Sequence, residues 1–215
     1  MNKLFFAAIA ASLLWINTAK AAPSDTTYRA LKDTAGLKVL VNNYSKNLVT
    51  LESNFTQLKY LSVLTEPNVS KGYFCFKSGA IRWEYTVPFA YLIIINNNRL
   101  FVVDDKKSNS FDLSASKAFM ALNASLGKIM QGNVLNDVKD FSCKYFENET
   151  TYKLILSPKD KDLKSFFNQI VIYFDKKLFS VSRVVMIELS GDQTDIEFLN
   201  RKINAPIPDE KFNVK

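Results

Sequence analysis

Residues Gly72–Pro88, GYFCFKSGAIRWEYTVP, constrain the fold more than any other stretch of this chain. Bulky groups alternate along Val69–Lys77 and Ala80–Thr86 around Ser78-Gly79, which predicts two antiparallel strands joined by a tight turn. Side chains alternate between the two faces of a sheet, so a sheet with one face in water is polar on that face. Here both faces carry apolar groups. The excess recurs elsewhere. Tyr91–Ile95 is apolar at every position, and Ser165–Phe174 puts Phe166, Ile170, Ile172 and Phe174 on one face but Phe167, Val171 and Tyr173 on the other. Three arrangements satisfy such a pattern: a closed barrel or sandwich, a sheet layered by helices on both sides, or a curved sheet enclosing an apolar cavity under a helical lid. Periodicity alone does not choose among them.

The rest of the chain reads as one domain. Residues 1–21 have the form of an export signal: Lys3 near the start, an apolar run Leu4–Trp15, and Ala19 and Ala21 spaced for a signal peptidase. Residues 22–215 then form the mature domain. Asp25–Val49 reads as a helix, with Leu37, Leu40, Val41, Tyr44 and Leu48 on one stripe and Asp33 or Thr34 as cap. Strands follow at Leu51–Leu64, Val69–Lys77, Ala80–Thr86, Tyr91–Ile95 and Arg99–Asp104. Ser114–Gln131 breaks the rhythm as a second amphipathic helix, with Phe119, Leu122, Leu126 and Ile129 on one stripe. Strands resume at Asp140–Glu147, Thr151–Ser157, Ser165–Phe174, Leu178–Leu189 and Thr194–Ile203. Hairpin turns between them argue for an antiparallel meander, so the class is α+β and mostly β.

Composition removes several chemistries. Histidine is absent, which takes away Ser-His-Asp and Cys-His catalysis, the usual general base near neutral pH, and most zinc sites. With six glycines in the chain and neither GxGxxG nor a phosphate loop, a nucleotide cradle is hard to build. The net charge is +7, or +5 without the two leader lysines, and the remaining lysines are scattered. No basic-aromatic motif for nucleic acid is present. Cys75 and Cys143 can pair in an oxidising compartment, or serve as two small buried hydrophobes.

At this point the sequence resembles a known family. Asn54–Leu64 (NFTQLKYLSVL), then Glu66-Pro67, then Ser70–Phe74 resembles the start of LolA, a carrier of outer-membrane lipoproteins. Phe55, Gln57, Lys59, Gly72, Phe74, Phe76, Ile81, Trp83 and Pro88 follow the order of the family's F-x-Q-x-K, G-x-F-x-F, apolar-x-W and Pro signals. The tail TDIEFLNRKINAPIPDEKFNV is similar to the family's closing strand.

The resemblance implies a single curved antiparallel sheet, an incomplete or half barrel, with a helical lid over an apolar cavity. It implies a monomeric periplasmic carrier, with neither cofactor nor metal, that catalyses no reaction. It would accept acylated lipoproteins from an inner-membrane ABC lipoprotein-releasing transporter and pass them to an outer-membrane receptor. Phe55, Phe74, Phe76, Ile81, Trp83 and Tyr85 are then the lipid-binding cavity, with Ile81 near its mouth. Phe119, Leu122, Leu126 and Ile129 line the lid. The family carries a basic residue, commonly Arg, at the turn after the second strand. Here Lys77 of Lys77-Ser78-Gly79 is the candidate basic latch, and Arg82 is expected to point outward. Carriage of another acylated lipid or glycolipid, and a lipoprotein-sensing regulatory domain of the same fold, are the alternatives.

Overall fold

The computed structural model describes residues 28–97, 99–104, 107–112 and 141–213. The leader and the helix expected over Ser114–Gln131, with its four lid residues, lie outside them. The chain begins with β1 (Arg29–Ala30) and α1 (Thr34–Asn47). A first run of strands follows: β2 (Thr50–Tyr60), β3 (Asn68–Lys77), β4 (Ala80–Val87), β5 (Tyr91–Asn96), β6 (Arg99–Asp104) and β7 (Lys107–Asp112). The second run is β8 (Phe141–Glu147), β9 (Thr151–Pro158), the one-turn α2 (Lys161–Lys164), β10 (Phe167–Asp175), β11 (Ser180–Glu188) and β12 (Gln193–Ile203). A 3-10 turn, Asp209–Phe212, ends the described chain.

All twelve strands form one antiparallel sheet in the order β1-β8-β9-β10-β11-β12-β2-β3-β4-β5-β6-β7. Two hairpin meanders are thus stitched together at β12–β2, where Phe198 lies opposite Phe55 and Ile203 opposite Leu51. The sheet does not close, because β1 and β7 remain its two edges. It does curl: Leu100 and Val102 of β6 and Phe141 of β8, far apart in strand order, belong to one buried cluster. The expected half barrel, rather than a closed one, is what forms.

Helix α1 lies on the concave face. Asp33 caps it, accepting from the Gly36 amide at 2.8 Å, and Leu37 and Val41 are buried in the shared core. Its Tyr44 ring meets Phe174 and Phe179 edge-on at 6.4 and 6.0 Å. Asn204, just past β12, clasps the joint between α1 and β2. Its side-chain oxygen accepts from the Val49 amide at 2.8 Å, and its amide nitrogen donates to the Asn47 carbonyl at 2.9 Å.

Three expectations need correction. The first helix starts at Thr34, not Asp25, because Arg29–Ala30 pairs with β8 as an edge strand. The strand from Leu51 stops at Tyr60; Leu61–Leu64 is a turn closed by the Leu64 amide on the Leu61 carbonyl, which leaves Val63 and Leu64 exposed. A bulge between Phe167 and Gln169 reverses the phase of Phe167. It therefore joins Ile170, Ile172 and Phe174 in the main core instead of siding with Val171 and Tyr173.

The second apolar face is covered by the two ends of the described chain. Tyr28 packs with Ile155, Val171, Tyr173, Val185 and Ile187 on the convex side of β9–β11. On the convex side of β3–β4, Ile207 and Phe212 bury Cys75 with Tyr73 and Ala80. The two cysteines are both free. Cys75 faces the convex cover, whereas Cys143 packs against the concave core from β8, so the sheet itself keeps them apart.

Candidate functional site

Register alone shows how the concave face is assembled. Leu51, Phe76, Ile81, Ile95 and Leu100 lie opposite one another from β2 to β6. The next row is Ser53, Phe74, Trp83, Ile93 and Val102, and the third is Phe55, Gly72, Tyr85 and Tyr91. All six residues assigned to the cavity from sequence therefore share one face. Their rings interlock: Trp83 lies 5.0 Å from Phe55 and 5.1 Å from Phe74, and Phe55 meets Tyr85 edge-on at 5.2 Å. Phe198 of β12 extends the patch, 5.6 Å from Phe74 and 6.1 Å from Trp83. Such offset and edge contacts between rings add to simple burial.

Gly72 makes this packing possible. A β-carbon there would sit 1.9 Å from the Glu84 carbonyl oxygen and 2.8 Å from the Phe55 ring. The absent side chain lets β4 approach closely and leaves its place on the face to Phe55.

Ile81 points inward as expected, but it is only 3% exposed and packed in the core rather than open at a mouth. Arg82 points outward, donating to Glu84 and to the Lys211 carbonyl. Lys77 also lies on the convex side, where its ammonium donates to the Ile207 carbonyl at 2.6 Å and pairs with Asp209 at 2.6 Å. It fastens the C-terminal segment there; the residues expected to form the lid lie outside the described ones.

The β2 stripe grows more polar along its length, through Leu51, Ser53, Phe55, Gln57 and Lys59. Gln57 accepts from the Tyr85 hydroxyl at 3.0 Å, and burial pushes that phenol's pKa well above its usual value, so it stays a donor. The Lys59 ammonium pairs with Glu188 of β11, reaching across β12. Two buried hydroxyl oxygens, Tyr44 Oη and Ser53 Oγ, have no hydrogen-bond partner among the described residues, whereas the buried Trp83 Nε1 has the Tyr85 hydroxyl beside it. Each orphan of this kind costs about 1–3 kcal/mol.

A groove of about 690 Å³ opens between α1 and the β8–β9 side of the sheet. Leu31, Leu37, Leu40 and Tyr152 give it apolar walls, and Arg29, Lys32, Asp33 and Glu147 line its rim. Leu31, Leu37 and Tyr152 connect it to the concave core. A smaller hollow of about 210 Å³ lies by Phe166, Phe167, Glu188 and Leu189, at the Lys59 end of the sheet. Among the described residues no group of three His, Cys, Asp or Glu gathers to hold a metal ion, and no helix is long and apolar enough to cross a membrane.

Sequence reading missed Leu51, Ile95 and Phe198 as members of the face. Each lay in an expected strand, and strand phase relative to Phe55 and Ile81 was the available signal for the first two. Placing Phe198 needed the β12–β2 pairing.

One apolar concave face, continuous across an open twelve-stranded sheet and partly roofed by α1, defines the half-barrel class of sheet proteins. Within that class the chain belongs to the LolA family: the family model described as outer membrane lipoprotein carrier protein LolA matches residues 46–215. An outer-membrane lipoprotein carrier protein of Pseudomonas putida is 24% identical over 190 residues, covering 88% of this chain and 86% of the relative. One from Dechloromonas aromatica is 25% identical over 181 residues, covering 83% of each. The solved structure of a LolA superfamily protein from Nitrosomonas europaea aligns with a TM-score of 0.43 and 12% identity, over 82% of this chain and 97% of that one.

Proposed function

We propose that this protein is a periplasmic carrier that holds the acyl chains of lipoproteins against its concave face and shuttles them from the inner to the outer membrane. The observation that carries this reading is the row-by-row continuity of apolar side chains from β2 to β6 on one face of an open sheet. Family membership and the names of its relatives support the cargo class.

The physical need for such a carrier is plain. Each methylene moved from water to an apolar surface gains about 0.8 kcal/mol, so an acylated protein does not cross an aqueous compartment unaided. Phe55, Phe74, Phe76, Ile81, Trp83 and Tyr85 would form the sheet side of the acyl site. Large rings hold a chain through dispersion without fixing its geometry, which suits release to a receptor. Because Phe74, Phe76 and Ile81 are buried, loading would require the face to open, by displacement of α1 and of the lid that the family resemblance implies at Phe119, Leu122, Leu126 and Ile129. The groove beside α1 is the natural opening for that displacement. An inner-membrane ABC lipoprotein-releasing transporter would supply the cargo and an outer-membrane receptor would take it, the carrier acting as a monomer and performing no chemical step.

The test is release of cargo. Spheroplasts holding a labelled outer-membrane lipoprotein are incubated with the purified protein, and the label is followed into the soluble fraction. The reading predicts a soluble one-to-one complex. Label that stays in the membrane at saturating, folded protein would overturn it.

A further inference from the structure

Resting on that carrier reading, we propose that one rim of the half barrel is a membrane-docking edge. Its apolar loop tips insert into a zwitterionic lipid bilayer, so that acyl chains pass between bilayer and concave face without crossing water. Register places four connections at the same end of the sheet: 61–67, 88–90, 159–166 and 189–192. Each presents large apolar side chains to water: Val63 and Leu64 on the first, Phe89 on the second, Phe166 on the third and Leu189 on the fourth. Val63 is 85% exposed, Phe89 65% and Leu189 63%. Such groups scattered singly need no explanation, but five of them along one rim do. The opposite end turns through polar residues, Ser78, Asn97, Asn148 and Glu149 among them. On its connections Val49 and Leu178 are the exposed large apolar groups among the described residues.

The tips are held in place. The Asp192 carboxylate accepts from the Ser62 amide at 2.8 Å, which ties the Val63-Leu64 turn to the turn that carries Leu189. The Leu64 amide donates to the Leu61 carbonyl at 2.9 Å, and the Phe166 amide to the Leu163 carbonyl at 3.1 Å. Backbone groups paired in this way leave water at little cost. The chemistry of the rim selects its partner. Polar neighbours such as Ser62, Thr65, Ser165 and Ser190 separate the tips, which makes them spaced anchors for a fluid interface and not the contiguous packed centre of a protein interface. Lys159, Lys161 and Lys164 are balanced by Asp160, Asp162, Glu66 and Asp192, so no excess of positive charge selects anionic lipid. Apolar insertion among near-neutral headgroups fits what remains. The 210 Å³ hollow between Phe166, Phe167, Glu188 and Leu189 opens on this rim, and Phe167 belongs to the concave core, which links the tips to the acyl face.

The experiment floats the full mature chain with lipoprotein-free vesicles of phosphatidylethanolamine and phosphatidylcholine, at low and at high salt. The wild type is expected to float with the vesicles equally at both, because insertion is not screened as ion pairing is. Phe89→Ser, and Val63→Ser combined with Leu64→Ser, should each weaken binding about tenfold, while Leu178→Ser at the opposite rim should not change it. All four side chains are exposed, so the variants should keep the wild-type unfolding curve. Wild type that stays soluble, or floats with anionic vesicles alone and is released by salt, would overturn the docking edge. So would rim variants that bind as the wild type does. If the wild type ignores vesicles yet the rim variants fail to take lipoprotein from spheroplasts, the rim serves a protein partner and the bilayer proposal falls. Each of these results leaves the carrier reading standing, since that reading fails on the wild type's release of cargo.

Discussion

Replacing Gly72 by alanine should damage this protein more than the same change at Gly79 or Gly191, where a β-carbon meets open space. Its β-carbon would stand 1.9 Å from the Glu84 carbonyl oxygen, against ordinary contact at about 3.4 Å, so β3 and β4 must part by roughly 1.5 Å. The obstacle is backbone, which cannot rotate away. Parting the strands at the Lys71–Gly72 register shift weakens one or two ladder hydrogen bonds, each contributing about 1 kcal/mol, and displaces Phe55 from its contacts with Trp83 and Tyr85. Overpacking of this kind costs about 1–3 kcal/mol, and a backbone clash belongs at the upper end. Urea unfolding followed by tryptophan fluorescence would measure it. Gly79→Ala is the control: its β-carbon meets open space, and only the positive φ of +92° penalises it, by about 1 kcal/mol. Gly72→Ala equal to or milder than Gly79→Ala would refute the close-approach reasoning.

The remaining predictions concern the convex cover and the polar end of the face. Cys75 should resist thiol reagents in the native protein, because it is fully buried and burial raises its pKa; Phe212→Ala should make it reactive and cost about 3 kcal/mol, as a reagent time course and an unfolding curve would show. Cys143, half-buried and with its thiol pushed up to about 11, should also react slowly at neutral pH, and denaturant should expose both thiols together. The hydrogen bond from Tyr73 holds Glu52 below the carboxylate value of 4.5, with help from Lys211. Its contribution is therefore full above pH 4.5 and is lost as pH falls through the lowered folded value, a loss that Glu52→Gln should abolish in acid unfolding curves. Lys59→Met should destabilise by about 3 kcal/mol because Glu188 is left partly buried and unpaired, while Lys59→Met with Glu188→Leu should recover most of that loss.

Much of this architecture is legible from the chain because the governing signals are local. The Ser78-Gly79 turn has φ of 47° and 92°, the left-handed pair that a two-residue hairpin of matching twist demands. Alternation on either side of it then places Phe74, Phe76, Ile81 and Trp83 together without further information. What escaped reading depends on distant partners. Lys107–Asp112 is a polar strand only because β6 offers it an edge, and Arg29–Ala30 leaves the helix because β8 does the same. Val63 and Leu64 look like the end of a strand, yet the chain must turn there to pair β3 with β2. The cover over Cys75 comes from Ile207 and Phe212, more than 130 residues away, fastened by Lys77, Arg82 and Lys211. The second apolar surface of GYFCFKSGAIRWEYTVP is thus convex cover on one side and, on the other, the face assigned to acyl chains.

The central claim is that this face carries acyl chains. Native mass spectrometry of the protein purified from the periplasm tests it most directly, with release to the outer membrane blocked so that cargo accumulates. The account predicts a population heavier than the mature chain by the mass of a lipoprotein whose acyl groups appear on fragmentation. A single unliganded mass from folded protein under that block would contradict it.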